Sequence, residues 1–156
     1  MRIFLAYPFT QLLREDGLLE GKATSFLNQA IDALTANGYS VFSAQKREAF
    51  GLELMTPEVA TKLDFIEMQK ADLVVAFPGW FPISGGVHVE LGWASALSRP
   101  LILFLHKEQE YSPLVMGLGT VTQVKEVRFG NEDLDRLVSM ITNEVEAYRK
   151  KLLTNA

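Results

Sequence analysis

The chain has 156 residues, 48% hydrophobic and 22% charged, with no cysteine and a formal net charge of −4. That balance suits one globular domain over 1–156 and excludes a disordered tail or a coiled coil, and the missing cysteines exclude disulfides, thiolate metal sites and a cysteine nucleophile. Scattered basic residues do not form a nucleic-acid groove, no apolar run reaches the ~20 residues of a membrane span, and the two histidines, His88 and His106, lack metal-ligand spacing.

Residues 2–6 (RIFLA) are an apolar run ended by Tyr7-Pro8, a strand followed by a breaker. The N-terminal MRIFLAYPF is too short and too weakly charged for a signal peptide, so the cytoplasm is the expected compartment. Ala23, Phe26, Leu27, Ala30, Ile31 and Leu34 give 22–37 helical spacing, closed by Asn37-Gly38. A second strand is expected over 39–43. Thr56-Pro57-Glu58 starts a helix that runs to about Lys70, with Thr56 as cap and Pro57 in the first helical position. DLVVAF (72–77) is the unbroken apolar run of a strand buried on both faces. Ser84-Gly85-Gly86 opens a helix through Ser98, and Pro100 precedes the strand 101–105. A short helical turn over 111–119, a last strand over 123–129 and an amphipathic helix over 131–153 complete the chain. Strand and helix alternate, so the expected fold is a doubly wound, flavodoxin- or Rossmann-like α/β domain of five parallel strands with helices on both faces.

In such folds ligands bind beyond the carboxyl ends of the strands, here the loops 7–21, 44–56, 78–86 and 106–122. Ser84-Gly85-Gly86 stands at a helix start, where unpaired backbone N–H groups and the helix dipole favour an anion and glycine allows close approach. The plainer alternative is a capped turn. Glu90 lies four residues after Gly86 and shares its helix face. One helical turn rises ~5.4 Å, close to the span from a 5′-phosphate to the anomeric carbon of a pentose. A phosphate at 84–86 therefore places C1′ beside the Glu90 carboxylate. The alternative for Glu90 is a carboxylate that complements the helix dipole. Asp64, on the preceding helix, is a second candidate acid, whereas Asp72 opens a buried strand and reads as structural. Lys46 and Arg47 are the cations nearest a bound nucleotide, unless they are a solvated pair. Phe4, Tyr7 and Phe9 at the end of the first strand offer a wall for a base, although core packing explains Phe4 equally well. His88 points away from Glu90 around the helix and reads as packing.

Asp64, ADLVVAF (71–77) and SGGVHVELGWA (84–94) together resemble the nucleoside 2-deoxyribosyltransferase superfamily. KREAFGLELMTPEVATKLD (46–64), DLVVAFPG (72–79), HVELGWAS (88–95) and EYSPLVMGL (110–118) are most similar to its cytidylate N-glycosidases, which hydrolyse CMP or 5-hydroxymethyl-CMP to free base and ribose 5-phosphate. The resemblance implies Glu90 as nucleophile, Asp64 assisting at the ribose or base, and Ser84 and Gly86 at the 5′-phosphate. Phe4, Ala6, Tyr7, Phe9, Lys46, Arg47, Gly79 and Gly85 are the further candidate substrate-binding positions. The apolar runs 91–97 and 111–119 point to a homodimer, the alternative being that 111–119 is a lid over its own site. The resemblance adds that residues near Met116 complete the neighbour's site, and no metal or cofactor is expected. Transferases acting on unphosphorylated nucleosides carry an acid six residues before the glutamate, where this chain has Ser84. A hydroxyl there accepts a phosphate that a carboxylate would repel, which favours a nucleotide. Thr10 stands where the hydroxymethyl-CMP enzyme carries arginine, so the cytosine C5 substituent stays open. A base-exchange transferase, a TIR-like NAD glycohydrolase and a non-catalytic nucleotide sensor are the rival readings.

Overall fold

In the computed structural model, which describes residues 1–80 and 82–154, the strands β1 (Arg2–Ala6), β2 (Ser40–Phe42), β3 (Leu73–Ala76), β4 (Leu101–His106) and β5 (Val124–Phe129) form one sheet. All pairings are parallel and the order is β2-β1-β3-β4-β5, the flavodoxin-like arrangement. The helices are α1 (Gly21–Ala36), α2 (Ala44–Arg47), α3 (Pro57–Lys70), α4 (Gly85–Ala96), α5 (Pro113–Met116) and α6 (Leu134–Thr154). Phe81, Asn155 and Ala156, which the expected domain bounds include, lie outside the described residues.

The period of two along each strand divides the core into two layers. Ile3, Leu5, Leu73, Val75, Ile102 and Phe104 face α1 and α6, whose buried Phe26, Leu27, Ile31, Leu137, Ile141 and Val145 cover them. Phe4, Ala6, Val74, Ala76, Leu101 and Leu103 face the other way, under Met68 of α3 and Val87, Leu91 and Ala94 of α4. Strands sandwiched in this way have no polar face, which is why β3 and β4 are unbroken apolar runs. The edge strand β5 instead carries Lys125, Glu126 and Arg128 on exposed positions, which discourages pairing with another chain.

Local chemistry sets the helix ends. Gly38 closes α1 with φ +82°, a backbone that glycine adopts without strain. Pro57 occupies the first turn of α3, but Thr56 makes no side-chain capping bond. Asp133 caps α6 instead, its Oδ1 accepting from Arg136 N at 2.8 Å, so that helix starts a little later than 131. The stretch 44–56 is more structured than a loop. Ser43 accepts from Lys46 N at 3.3 Å to cap the single turn α2. Ala49 (φ 47°), Phe50 (φ 54°) and Gly51 (φ 104°) then run consecutively in the left-handed region, a rare conformation for the first two. Among the described residues no helix is long and apolar enough to cross a membrane.

Candidate active site

The chain leaves β1 towards β2 on one side and returns to β3 on the other, and a crevice opens where the strand order reverses. There lies a cleft of about 440 Å³. Tyr7, Phe9, Thr10 and Gln11 wall it after β1, and Gln45 and Glu48 after β2. Leu54, Met55, Thr61 and Asp64 approach from α3 and the segment before it, and Ser84, Gly86, Val89, Glu90 and Trp93 from α4.

The start of α4 is built by the loop after β3. Gly79 takes φ +97°, and any Cβ there would lie 2.6 Å from Pro82 O. The tight return lets Ser84 N donate to Pro78 O at 2.8 Å, and the Tyr111 hydroxyl pins the loop by donating to Gly79 O at 3.1 Å. Ser84 is 2% exposed, and its Oγ accepts from Val87 N at 3.3 Å. Capping uses a lone pair and leaves the hydroxyl proton free to donate. The first-turn amides of Gly85 and Gly86 have no acceptor within their own helix. Capped turn and anion seat are therefore the same structure.

One turn further, Glu90 opens into the same cleft. The residue is half-buried, yet desolvation of its carboxylate raises the pKa well above the ordinary 4.5, with the charge of Asp64 raising it further and Arg47 lowering it. Asp64 is also raised by burial, against the opposing charge and hydrogen bond of Arg47. The Arg47 guanidinium donates to Asp64 Oδ1 at 2.5 Å and to Glu48 Oε1 at 2.7 Å. Glu48 Oε2 in turn accepts from Met55 N at 3.1 Å. Two acids thus face each other in one crevice, with a third beside them, a grouping that suits attack on an electron-poor carbon. Among the described residues no cluster of acids or histidines could hold a metal ion.

The nucleoside 2-deoxyribosyltransferase family model matches residues 17–150. The chain belongs to that family. Its members are enzymes that act on small nucleoside or nucleotide substrates. The structure is similar to that of CMP N-glycosidase BcmB of Clostridium botulinum, at 28% identity over 91% of this chain and 99% of that one, with a TM-score of 0.66. It is similar to the solution structure of BlsM at 39% identity, over 88% of this chain and 85% of that one, with a TM-score of 0.73. The 2-deoxyribosyltransferase of Bacillus psychrosaccharolyticus shares the fold at 22% identity, over 88% of this chain and 90% of that one, with a TM-score of 0.54. No curated protein matches the chain.

Of the positions singled out for a nucleoside 2-deoxyribosyltransferase relative, Glu90, Asp64, Ser84, Gly86, Tyr7 and Phe9 meet on the cleft wall. Phe4 and Ala6 do not. Both point from β1 into the core below, each 1% exposed, with Phe4 packed 5.0 Å from the Phe42 ring. The alternation of β1 puts them there, and the chain reaches the crevice only after the strand ends. Lys46 and Arg47 also stand off the wall, Arg47 because its guanidinium turns inward to Glu48 and Asp64. Gly79 shapes the loop from behind, and Gly85 begins α4 without lining the cleft. Met116 lies over β5, its Sδ 3.9 Å from Arg128 Nη2. His88 packs on its own helix, Nδ1 2.6 Å from Ser84 O, and Asp72 Oδ2 accepts from Arg2 N at 2.7 Å, a structural bond as expected.

Thr10, noted above for the base substituent, lines the cleft; Gln45, Glu48, Gln11, Leu54, Met55 and Trp93 line it too and are not candidates from the sequence. Gln45 is 2% exposed, and its amide donates to Tyr7 O at 2.6 Å, joining the loops after β1 and β2.

Proposed function

We propose that the protein hydrolyses the N-glycosidic bond of a pyrimidine nucleoside 5′-monophosphate, CMP or 5-hydroxymethyl-CMP, to free base and ribose 5-phosphate. The observation that carries this reading is Glu90 opening into the cleft one turn from the Ser84–Gly86 helix start, with Asp64 lining the same cleft. Phosphate seats at the helix start through the Ser84 hydroxyl and the first-turn amides, while the base lies against Tyr7 and Phe9. Glu90, as carboxylate, attacks C1′ through an oxocarbenium-like transition state, and the C1′–N bond breaks with its electron pair passing to the base. The base takes a proton from Asp64 or from water. Water then opens the ribosyl ester at C1′, and two displacements give net retention. The similarity to a CMP N-glycosidase supports this assignment, as does Ser84, whose neutral hydroxyl suits a phosphate. We further propose a homodimer in which the segment around Met116 completes the neighbour's cleft.

Incubation with CMP, dCMP, cytidine and NAD, read by chromatography, tests the reading. Release of cytosine and ribose 5-phosphate from CMP is expected. Base exchange in place of hydrolysis identifies a transferase, nicotinamide release identifies an NAD glycohydrolase, and binding without release identifies a sensor.

A further inference from the structure

Three carboxylates, Glu48, Asp64 and Glu90, open on one cleft, and among the described residues no lysine or arginine lines it. Like charges so placed oppose one another's ionisation, yet a nucleophilic carboxylate must be charged. The balancing cation stands one layer behind the wall. Arg47 bridges Asp64 on α3 and Glu48 after α2, the three side chains being 17%, 16% and 7% exposed. The guanidinium is fixed by more than its ion pairs. It lies 5.5 Å over the Phe42 ring, and its backbone N donates to Ser43 O at 3.1 Å in the capped turn α2. Glu48 ties the assembly to Met55, and with it to the segment that walls the cleft mouth.

We propose that Arg47, braced by Glu48, is a positioning residue that holds Asp64 as an oriented carboxylate beside Glu90 and keeps both acids charged for the reaction. The proposal rests on the glycosidase reading of the cleft. It also assigns the proton. Arg47 takes one oxygen of Asp64 and opposes its protonation, so the clamped carboxylate offers its other oxygen to the sugar as an acceptor and is not the proton donor. When the C1′–N bond breaks, the base is protonated by water, and the resulting hydroxide opens the ribosyl ester at C1′, restoring the Glu90 carboxylate. One water is consumed and no other reactant is needed. The ionisable groups facing Asp64 are Arg47 and Glu48 from α2 and its end and Glu90 from α4, with Tyr7 across the cleft from the loop after β1.

The test compares wild type with Arg47→Met, Arg47→Lys and Glu48→Gln. It reads CMP hydrolysis against pH and, in the free protein, the titrations of the Asp64 and Glu90 carboxyls by carbon NMR. Arg47→Met should lower kcat roughly 10²-fold, the scale of a misplaced catalytic group, with KM for CMP little changed and both carboxyls titrating at higher pH. Arg47→Lys keeps the charge without the planar fork, so the titrations should return towards wild type while kcat recovers only in part. Glu48→Gln removes a neighbouring negative charge, so Asp64 should titrate at lower pH even as kcat falls. A folded Arg47→Met with wild-type titrations and kcat overturns the proposal. If that variant does not fold, wild-type titrations and kcat in both other variants overturn it. A wild-type protein that releases no base from CMP refutes the glycosidase reading instead, and the titrations then still decide whether the clamp exists.

Discussion

At Glu90 two demands oppose one another, because the carboxylate must be charged to attack C1′ and yet sits where desolvation favours its neutral form. The acid limb of kcat/KM should therefore lie above the ordinary carboxylate range, since activity needs the ionised form and the raised pKa delays ionisation. Glu90→Gln should lower base release by at least about 10³-fold, as expected when a covalent nucleophile is lost; activity within tenfold of wild type in a folded variant would exclude the mechanism. The same substitution should stabilise the protein at neutral pH. With its folded pKa raised above the unfolded value, Glu90 contributes stability that is complete below about pH 4.5 and is lost as pH rises through the folded value. At pH 7, above the unfolded value, that contribution has declined and the desolvated acid weakens the fold, so the glutamine variant should melt higher. That gain should vanish in acid, where wild-type Glu90 is itself neutral. Calorimetry of both proteins across pH measures the difference directly, and a variant that melts lower at pH 7 refutes the argument.

At the scale of the element, the start of α4 joins a cap to a phosphate seat. Charge-assisted hydrogen bonds are worth ~1.5–3 kcal/mol each, so CMP should exceed cytidine in kcat/KM by at least about 10²-fold; equal rates would contradict the seat. Ser84→Asp separates the two roles, because aspartate also caps helices well but repels a phosphate. The variant should keep its helix content and lose most of its preference for CMP, as circular dichroism and the ratio of rates on the two substrates will show. The loop that delivers Ser84 depends on Gly79, where φ is +97° and an added Cβ would meet Pro82 O and Ser84 N at 2.6 and 2.8 Å. Gly79→Ala should therefore cost ~1–3 kcal/mol in denaturant unfolding, and an unaltered midpoint would show that the loop tolerates strain there.

For the molecule as a whole, apolar side chains remain uncovered after β4. Leu114 is 84%, Val121 64% and Met116 38% exposed. Exposed apolar surface of this kind favours association, and two-fold dimers are the commonest closed oligomers. Light scattering in dilute solution should give about twice the chain mass of 17.4 kDa, and a monomer mass at micromolar concentration refutes the dimer. Where a dimer forms, mixing a Glu90→Ala chain with a Met116→Asp chain should restore activity if one site draws on both copies. Failure to restore it, with subunit exchange verified, would assign the segment to its own cleft.

The periodicities alone determined the sheet and its helices. The six apolar positions of α1 named from their spacing are its six buried residues, and the unbroken runs at β3 and β4 are buried on both faces. This is legible because burial of regular elements follows from repeats of two and of 3.6 residues, which are local. Gly86 and Glu90 were likewise legible as a pair, since one helix carries both at a fixed spacing. The clamp was not. Arg47, Glu48 and Asp64 come from a one-turn helix, the residue after it and the middle of α3, and their meeting depends on three consecutive left-handed residues of which only Gly51 announces itself. Nor could the sequence tell that Phe4 and Ala6 lie below the crevice while Tyr7 and Phe9 wall it, because that depends on where β1 ends relative to its neighbours. Tertiary structure decided these points, since a charge finds its partner through space and the chain's own repeats carry no record of a partner 17 residues away.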